Sequence, residues 1–180
     1  MGWPKALLPL GNHTFLNKII ADYRRLGCQP VIAVAGVHFS AIRDSLADSG
    51  VLLLRNPAPD CGPFSSLQIA VKSLPPPCQG FFVHPVDHPA VSSKSLRQIL
   101  SAWTGEAQQV IKPTFEGRGG HPVLLGQDWI KKIERAPISS NLRLVLRGSS
   151  AAVQLVPVTD EMILLNVNHP ADLDKISPHA

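Results

Sequence analysis

The stretch PVIAVAGVHFSAIRDSLADSGVLLL, Pro30 to Leu54, decides the fold class. It opens on a short apolar run rich in Val and Ile, whose branched side chains suit a pleated surface buried on both faces. Ser40 can then cap a helix over AIRDSLADSG. VLLL, Val51 to Leu54, reads as a second strand. Strand, helix and strand follow one another with short connections, the mark of a parallel sheet covered by helices.

Working outward, the same alternation continues. Upstream, Thr14 can cap a helix in which Leu16, Ile19, Ile20, Tyr23 and Leu26 recur at helical spacing, and Gly27 stops the run. Downstream, SSLQIAVKSL (Ser65 to Leu74) reads as a helix, GFFVHPVD contains a strand, Ser92 to Trp103 fits a helix, and QQVIKP fits a strand. Val123 to Leu125 reads as a strand, and DWIKKIER and NLRLVLR as helices. AAVQLVPV and MILLNV are expected to be two further strands, and PADLDKI a last short helix. The expectation is an α/β chain with a parallel sheet and helices on both faces, in one domain spanning residues 1–180.

Composition agrees. The 180 residues are 44% hydrophobic and 17% charged, suited to a core of ordinary size. With no apolar run of 18 residues, a membrane span is not expected. The formal charge is +4 and the pI about 9.2, which allows attraction to an anionic ligand or simply a basic surface. Lys and Arg are scattered without aromatic interleaving, so nucleic acid is not the expected partner. Cys28, Cys61 and Cys78 lack metal-ligand spacing and read as reduced thiols of a cytoplasmic protein.

Ligands of such sheets gather at the carboxyl ends of the strands, and four stretches lie there. In HPVDHP (His84 to Pro89), Asp87 follows a strand between two prolines. A rigid carboxylate there suits Mg²⁺, and equally a turn Asp bonding its own backbone. In NVNHPADL, Asn168 can offer an oxygen to the same cation, or the segment can box the start of the last helix. In NPAPDCGPFSSL (Asn56 to Leu67), a Gly- and Ser-rich loop opens a helix, whose N–H groups suit a phosphate, ribose or base edge; Ser65 or Ser66 can also simply cap it. In FEGRGGHPVLL, glycines flank Arg118, which with His121 can grip an anion; a hairpin-like turn accounts for the same glycines.

Taken in order, MGWPKALLPL, NPAPDCGPFSSL, PVDHP, GRGGHPVLL and NVNHPADL resemble the MobA-like nucleotidyltransferases over essentially the whole chain. The resemblance implies a Rossmann-like three-layer α/β/α sandwich of the nucleotide-diphospho-sugar transferase type, with a mostly parallel sheet. It implies transfer of NMP from an NTP to a phosphate-bearing acceptor, with release of pyrophosphate and with Mg²⁺ as cofactor. PVDHP and GRGGHP look more like the cytidylyl than the guanylyl branch, which implies CTP, a molybdopterin-like acceptor, and a molybdoenzyme that receives the cofactor. By the same resemblance Lys5 meets the triphosphate, Asp87 and Asn168 hold the metal, Gly62, Ser65 and Ser66 bind the nucleoside, and Arg118 and His121 lie near the acceptor. Two other readings stay open: a sugar-phosphate acceptor, and a non-catalytic accessory protein that binds a nucleotide or cofactor. The family places a strand and a Gly-rich loop ahead of Met-Gly-x-Pro-Lys. The resemblance therefore implies that the chain starts inside that motif and lacks the first strand, by a mis-set start or by true truncation.

Overall fold

The computed structural model describes residues 4–46, 49–148 and 153–176. Met1 to Trp3 of the opening motif, and Ala151 and Ala152 of AAVQLVPV, lie outside them.

A single helical turn at Lys5–Leu7 leads into a small hairpin, β1 (Pro9–Leu10) with β2 (His13–Thr14). Helix α1 (Phe15–Arg25) follows, and Thr14 Oγ1 accepts from Asn17 N–H as its cap. Strand β3 (Ile32–Ala35), helix α2 (Phe39–Ser45) and strand β4 (Leu52–Arg55) form the expected unit, and β3 pairs β4 in parallel. Ser40 lies inside α2, two residues past the cap position, and His38 precedes the helix without a side-chain cap. Helix α3 (Pro63–Lys72) starts earlier than the apolar spacing suggests, because Pro63 fits the first helical turn.

The main sheet holds β5 (Gly80–Val83), β6 (Val110–Phe115), β7 (Arg118–Gly119), β8 (Val123–Gly126) and β9 (Val153–Pro157). Strand β8 runs antiparallel to β5 and β6, and β9 runs parallel to β6. Its pairing is thus mixed, with β8 reversed because the β6–β7 hairpin returns the chain. Glu116 and Gly117 make that turn with φ of 49° and 73°, the left-handed pair a tight hairpin requires.

Alternation along the strands builds the layers. Phe81, Val110, Val123 and Leu125 pack with α3 and with α5 (Asp128–Arg135) around Trp129. Phe82, Ile111 and Leu124 face the opposite side, where α1 and α4 (Ser93–Ser101) supply Ile19, Tyr23, Leu96 and Ile99. Helix α6 (Leu142–Arg147) is capped by Asn141 Oδ1, and α7 (Ala171–Ile176) closes the fold. A further expectation fails. MILLNV forms no strand; Glu161–Ile163 is a short helical turn whose N–H at Met162 is capped by Asp160 Oδ1. Met162 and Val167 plug one core cluster and Ile163 the neighbouring one, at a spacing that strand alternation does not give.

Candidate active site

Asp87 sits in the loop that leaves β5. His88 N–H donates to Pro85 O at 3.1 Å and closes a turn, while Val86 beneath it packs into the core. The turn exists, yet the Asp87 side chain does not serve it: Oδ1 is buried and finds no hydrogen-bond partner. The carboxylate oxygen lies 3.9 Å from His88 Nε2.

The segment after the last helical turn docks onto this loop. Val167 N–H donates to Asp87 O at 2.8 Å, which fixes the next residue, Asn168, beside the turn. Lys5 Nζ donates to Asn168 Oδ1 at 2.5 Å. Three segments remote in sequence thereby place an ammonium, an amide and a carboxylate in one region. The helix-box reading of NHPAD also holds, since Asp172 Oδ2 accepts from the N–H groups of Asn168 and His169. Lys175 and these two amides hold the Asp172 carboxyl well below the usual carboxylate range.

Histidines line the floor. His84 Nε2 faces His88 O at 2.8 Å, and a carbonyl only accepts, so Nε2 carries the proton. Its Nδ1 then accepts from Tyr23 OH at 2.9 Å. Burial pushes the His84 pKa down to about 4, consistent with this neutral ring. The His88 and His121 rings lie 4.9 Å apart, and the Nδ1 of each is buried without a partner. Burial also lowers His121 to about 4, and it lowers His88 against the pull of Asp87. His121 reaches this place because its N–H donates to Ile163 O at 2.9 Å.

Gly62, Ser65 and Ser66 form a second group at the start of α3. Buried Asn56 organises it: Nδ2 donates to Ser65 Oγ at 2.8 Å and to Ser66 Oγ at 2.9 Å, and Oδ1 accepts from Ala58 N–H. Ser65 Oγ in turn donates to Gly62 O at 2.7 Å. Gly62 has φ 87° and ψ 177°, a backbone region open essentially to glycine.

The MobA-like NTP transferase domain model matches residues 1–156. The chain belongs to the MobA-like NTP transferase domain family. It is a nucleotidyltransferase. It is 25% identical over 174 residues to the molybdenum cofactor cytidylyltransferase of Escherichia coli K12, covering 96% of this chain and 86% of that protein. Among solved structures, Rv0371c from Mycobacterium tuberculosis, in complex with manganese, superposes with a TM-score of 0.81 at 23% identity, covering 98% of this chain and 93% of that one. Molybdopterin-guanine dinucleotide biosynthesis protein A of Archaeoglobus fulgidus gives 0.70 at 15% identity, covering 98% and 90%. At these identities the two structures bear on the fold, which is the Rossmann-like three-layer one.

The residues of this MobA-like domain expected at the site thus fall into groups. Lys5, Asp87 and Asn168 converge. His121 stacks on His88 next to them. Gly62, Ser65 and Ser66 lie together on the α3 loop, and Arg118 stands exposed on β7. Sequence reading passed over Asn56, Tyr23, His84 and His88. The doubled His-Pro rhythm of HPVDHP was the available signal for the two histidines; nothing local marks Tyr23.

The donor set also fits a hard divalent cation. An unpartnered buried carboxylate oxygen and an amide oxygen are the donors such ions prefer. No group of three or more His, Cys, Asp or Glu able to hold a metal occurs among the described residues. The protein would then supply one or two ligands and leave the rest to phosphate oxygens and water, the usual habit of Mg²⁺.

Proposed function

We propose that this chain transfers CMP from CTP to the phosphate of a molybdopterin-type acceptor and releases pyrophosphate. The observation that carries it is the convergence of Lys5, Asn168 and the unpartnered Asp87 oxygen at the loop that leaves β5. Similarity to the cytidylyltransferase supports the choice of base and acceptor. The reading takes residues 1–180 as one domain, acting in the cytoplasm and handing its product to a molybdoenzyme.

Lys5 would meet the triphosphate and stabilise negative charge on departing pyrophosphate. Asp87 and Asn168 would hold Mg²⁺, which when bound supplies neutralisation of phosphate charge. Gly62, Ser65 and Ser66 present the start of α3 to the nucleoside, in a loop already set by Asn56. Arg118 and His121 stand on the acceptor side. Phosphoryl chemistry of this kind asks the protein mainly for positioning and electrostatics.

The test is pyrophosphate release with molybdopterin and either Mg-CTP or Mg-GTP. CTP is expected to be the better donor, and Asp87→Asn is expected to lower turnover by about 10²–10³-fold, the cost of one preorganised electrostatic group. Equal or better use of GTP overturns the cytidylyl assignment, turnover of a sugar phosphate instead overturns the acceptor, and an unimpaired Asp87→Asn overturns the site.

A further inference from the structure

The β6 strand carries a lysine that the nucleotidyl-transfer reading leaves without work. Lys112 is half-buried, and its side chain lies flat along the backbone of the glycine loop. A Cβ at Gly119 would stand 2.8 Å from Lys112 Cε and 3.1 Å from Nζ, so the absence of a side chain at Gly119 is what lets the lysine lie there. Among the described residues, Lys112 Nζ has neither a hydrogen bond nor an ion pair. Burial lowers the Lys112 pKa, and the charge of Arg143 at the start of α6 lowers it further. Two neighbouring cations, one of them partly desolvated and neither paired, are costly in an empty fold and favourable around an anion.

The next group along is His121. The charges of Lys112 and Asp87 reach its ring, and among the described residues its buried Nδ1 has no partner. Asp87, His88 and His121 thus form a succession that begins at the expected metal ligand, and Gly120 N–H, bonded to Pro113 O at 2.8 Å, ties the His121 segment to the strand that carries Lys112.

We propose that Lys112, His121 and Arg143 form an oxyanion subsite that takes the phosphate monoester of the acceptor. This rests on the nucleotidyl-transfer reading and adds the residues that would seat the attacking group. Two cations match the charge of a phosphate monoester dianion. One already ionised acceptor oxygen forms the new bond to the α-phosphorus. The bond from that phosphorus to the bridging oxygen of the β-phosphate breaks, and its electron pair leaves with pyrophosphate. No proton has to be removed from the attacking oxygen. A neutral His121, held so by burial, is suited to a site whose charge comes from Lys112 and Arg143.

The experiment uses inorganic phosphate as the probe, titrated calorimetrically into the full chain, with Mg-CTP titrated in parallel. Lys112→Met is expected to weaken phosphate binding by about ten- to a hundredfold, the loss of one charge-assisted hydrogen bond. Its Mg-CTP affinity stays unchanged. Lys112→Arg, which keeps the cation, retains phosphate binding. Gly119→Ala, which displaces the lysine without removing it, weakens phosphate binding in the same sense, and thermal unfolding checks that each variant is folded. Undiminished phosphate binding by Lys112→Met, or no phosphate binding by the wild type, overturns the subsite. A loss confined to Mg-CTP reassigns Lys112 to the triphosphate and also overturns it. Failure of the wild type to bind Mg-CTP while phosphate still binds through Lys112 strikes the nucleotidyl-transfer reading and leaves the anion site standing.

Discussion

Gly120→Ala is the substitution whose consequence the structure fixes most directly. Gly120 is buried between β7 and β8, and its N–H donates to Pro113 O at 2.8 Å. A Cβ there would stand 2.4 Å from Ile163 O and 2.8 Å from both Ile163 C and Ile163 Cβ. These are atoms of a fully buried residue and two of them are backbone, so nothing soft can move aside. The loop must retreat instead. Retreat breaks the Gly120 bond to Pro113 and the His121 bond to Ile163 O, which together seat the imidazole over His88. Overpacking costs about 1–3 kcal/mol, and each stranded backbone group costs about as much again, so a loss of about 3 kcal/mol is a low expectation. For a chain of this size that lowers the melting temperature by about 6–12 °C. Gly117→Ala is the control: a Cβ meets nothing within 4 Å there, and only its positive φ is strained, at about 1–2 kcal/mol. Thermal unfolding of both variants decides the matter, with pyrophosphate release as the second reading. A Gly120→Ala protein that melts no lower than Gly117→Ala would refute the close-approach argument, and with it the account of how His121 is held.

Two further outcomes follow from buried polar groups. Asn56→Ala removes three hydrogen bonds that set the Ser65–Ser66 loop, and is expected to lose about 2–4 kcal/mol in urea unfolding and to weaken Mg-CTP binding. Asn56→Asp, which keeps only the acceptor for Ala58 N–H, should fall between the two. The His84 ring should make stability depend on pH. Its folded pKa is about 4, below the ordinary value of about 6.5, so between these values the unfolded chain binds the extra proton. Stability is therefore complete above about pH 6.5 and falls by up to about 3 kcal/mol as pH drops through 4. His84→Asn should flatten that part of the profile in urea titrations at successive pH values.

The layered α/β plan was legible because it rests on local signals. Apolar runs gave β3, β4, β5 and β6, and helical spacing after a Thr cap gave α1. What failed was MILLNV, where five apolar residues in six positions suit a strand or a plug equally well. The choice was made by Asp160, whose carboxylate caps the turn at Met162 and also holds Ser92 N–H and Ser95 Oγ across the fold. That is a tertiary constraint with no local trace. The site was legible in its ligands and illegible in its supports. Lys5, Asp87 and Asn168 are exposed or half-buried polar residues; Asp87 follows β5, where chemistry is sought first, whereas Asn168, expected at a strand end, follows the Glu161–Ile163 turn instead. Tyr23 reads as one more apolar position of α1. Only the packing of α1 against β5 turns its hydroxyl toward His84.

The identity of residue 168 carries a further consequence. A carboxylate there would pair with Lys5, and the ion pair would offset the ammonium charge before any ligand arrived. An amide oxygen orients Lys5 without neutralising it, as the hydrogen bond to Oδ1 does here. Asp87 is treated in the opposite way. Its charge is kept whole by denying Oδ1 a hydrogen bond, while its main chain is tied down through Val167 and its turn through His88. Each charge is therefore positioned by contacts that do not consume it. Preorganised but uncompensated charge is the arrangement that favours a highly charged ligand over water, since the cost of ordering the groups has been met in folding. The same logic extends to Lys112, laid along Gly119 and left without a counter-ion. A negative triphosphate with its cation, and a phosphate nucleophile, would together meet every one of these charges.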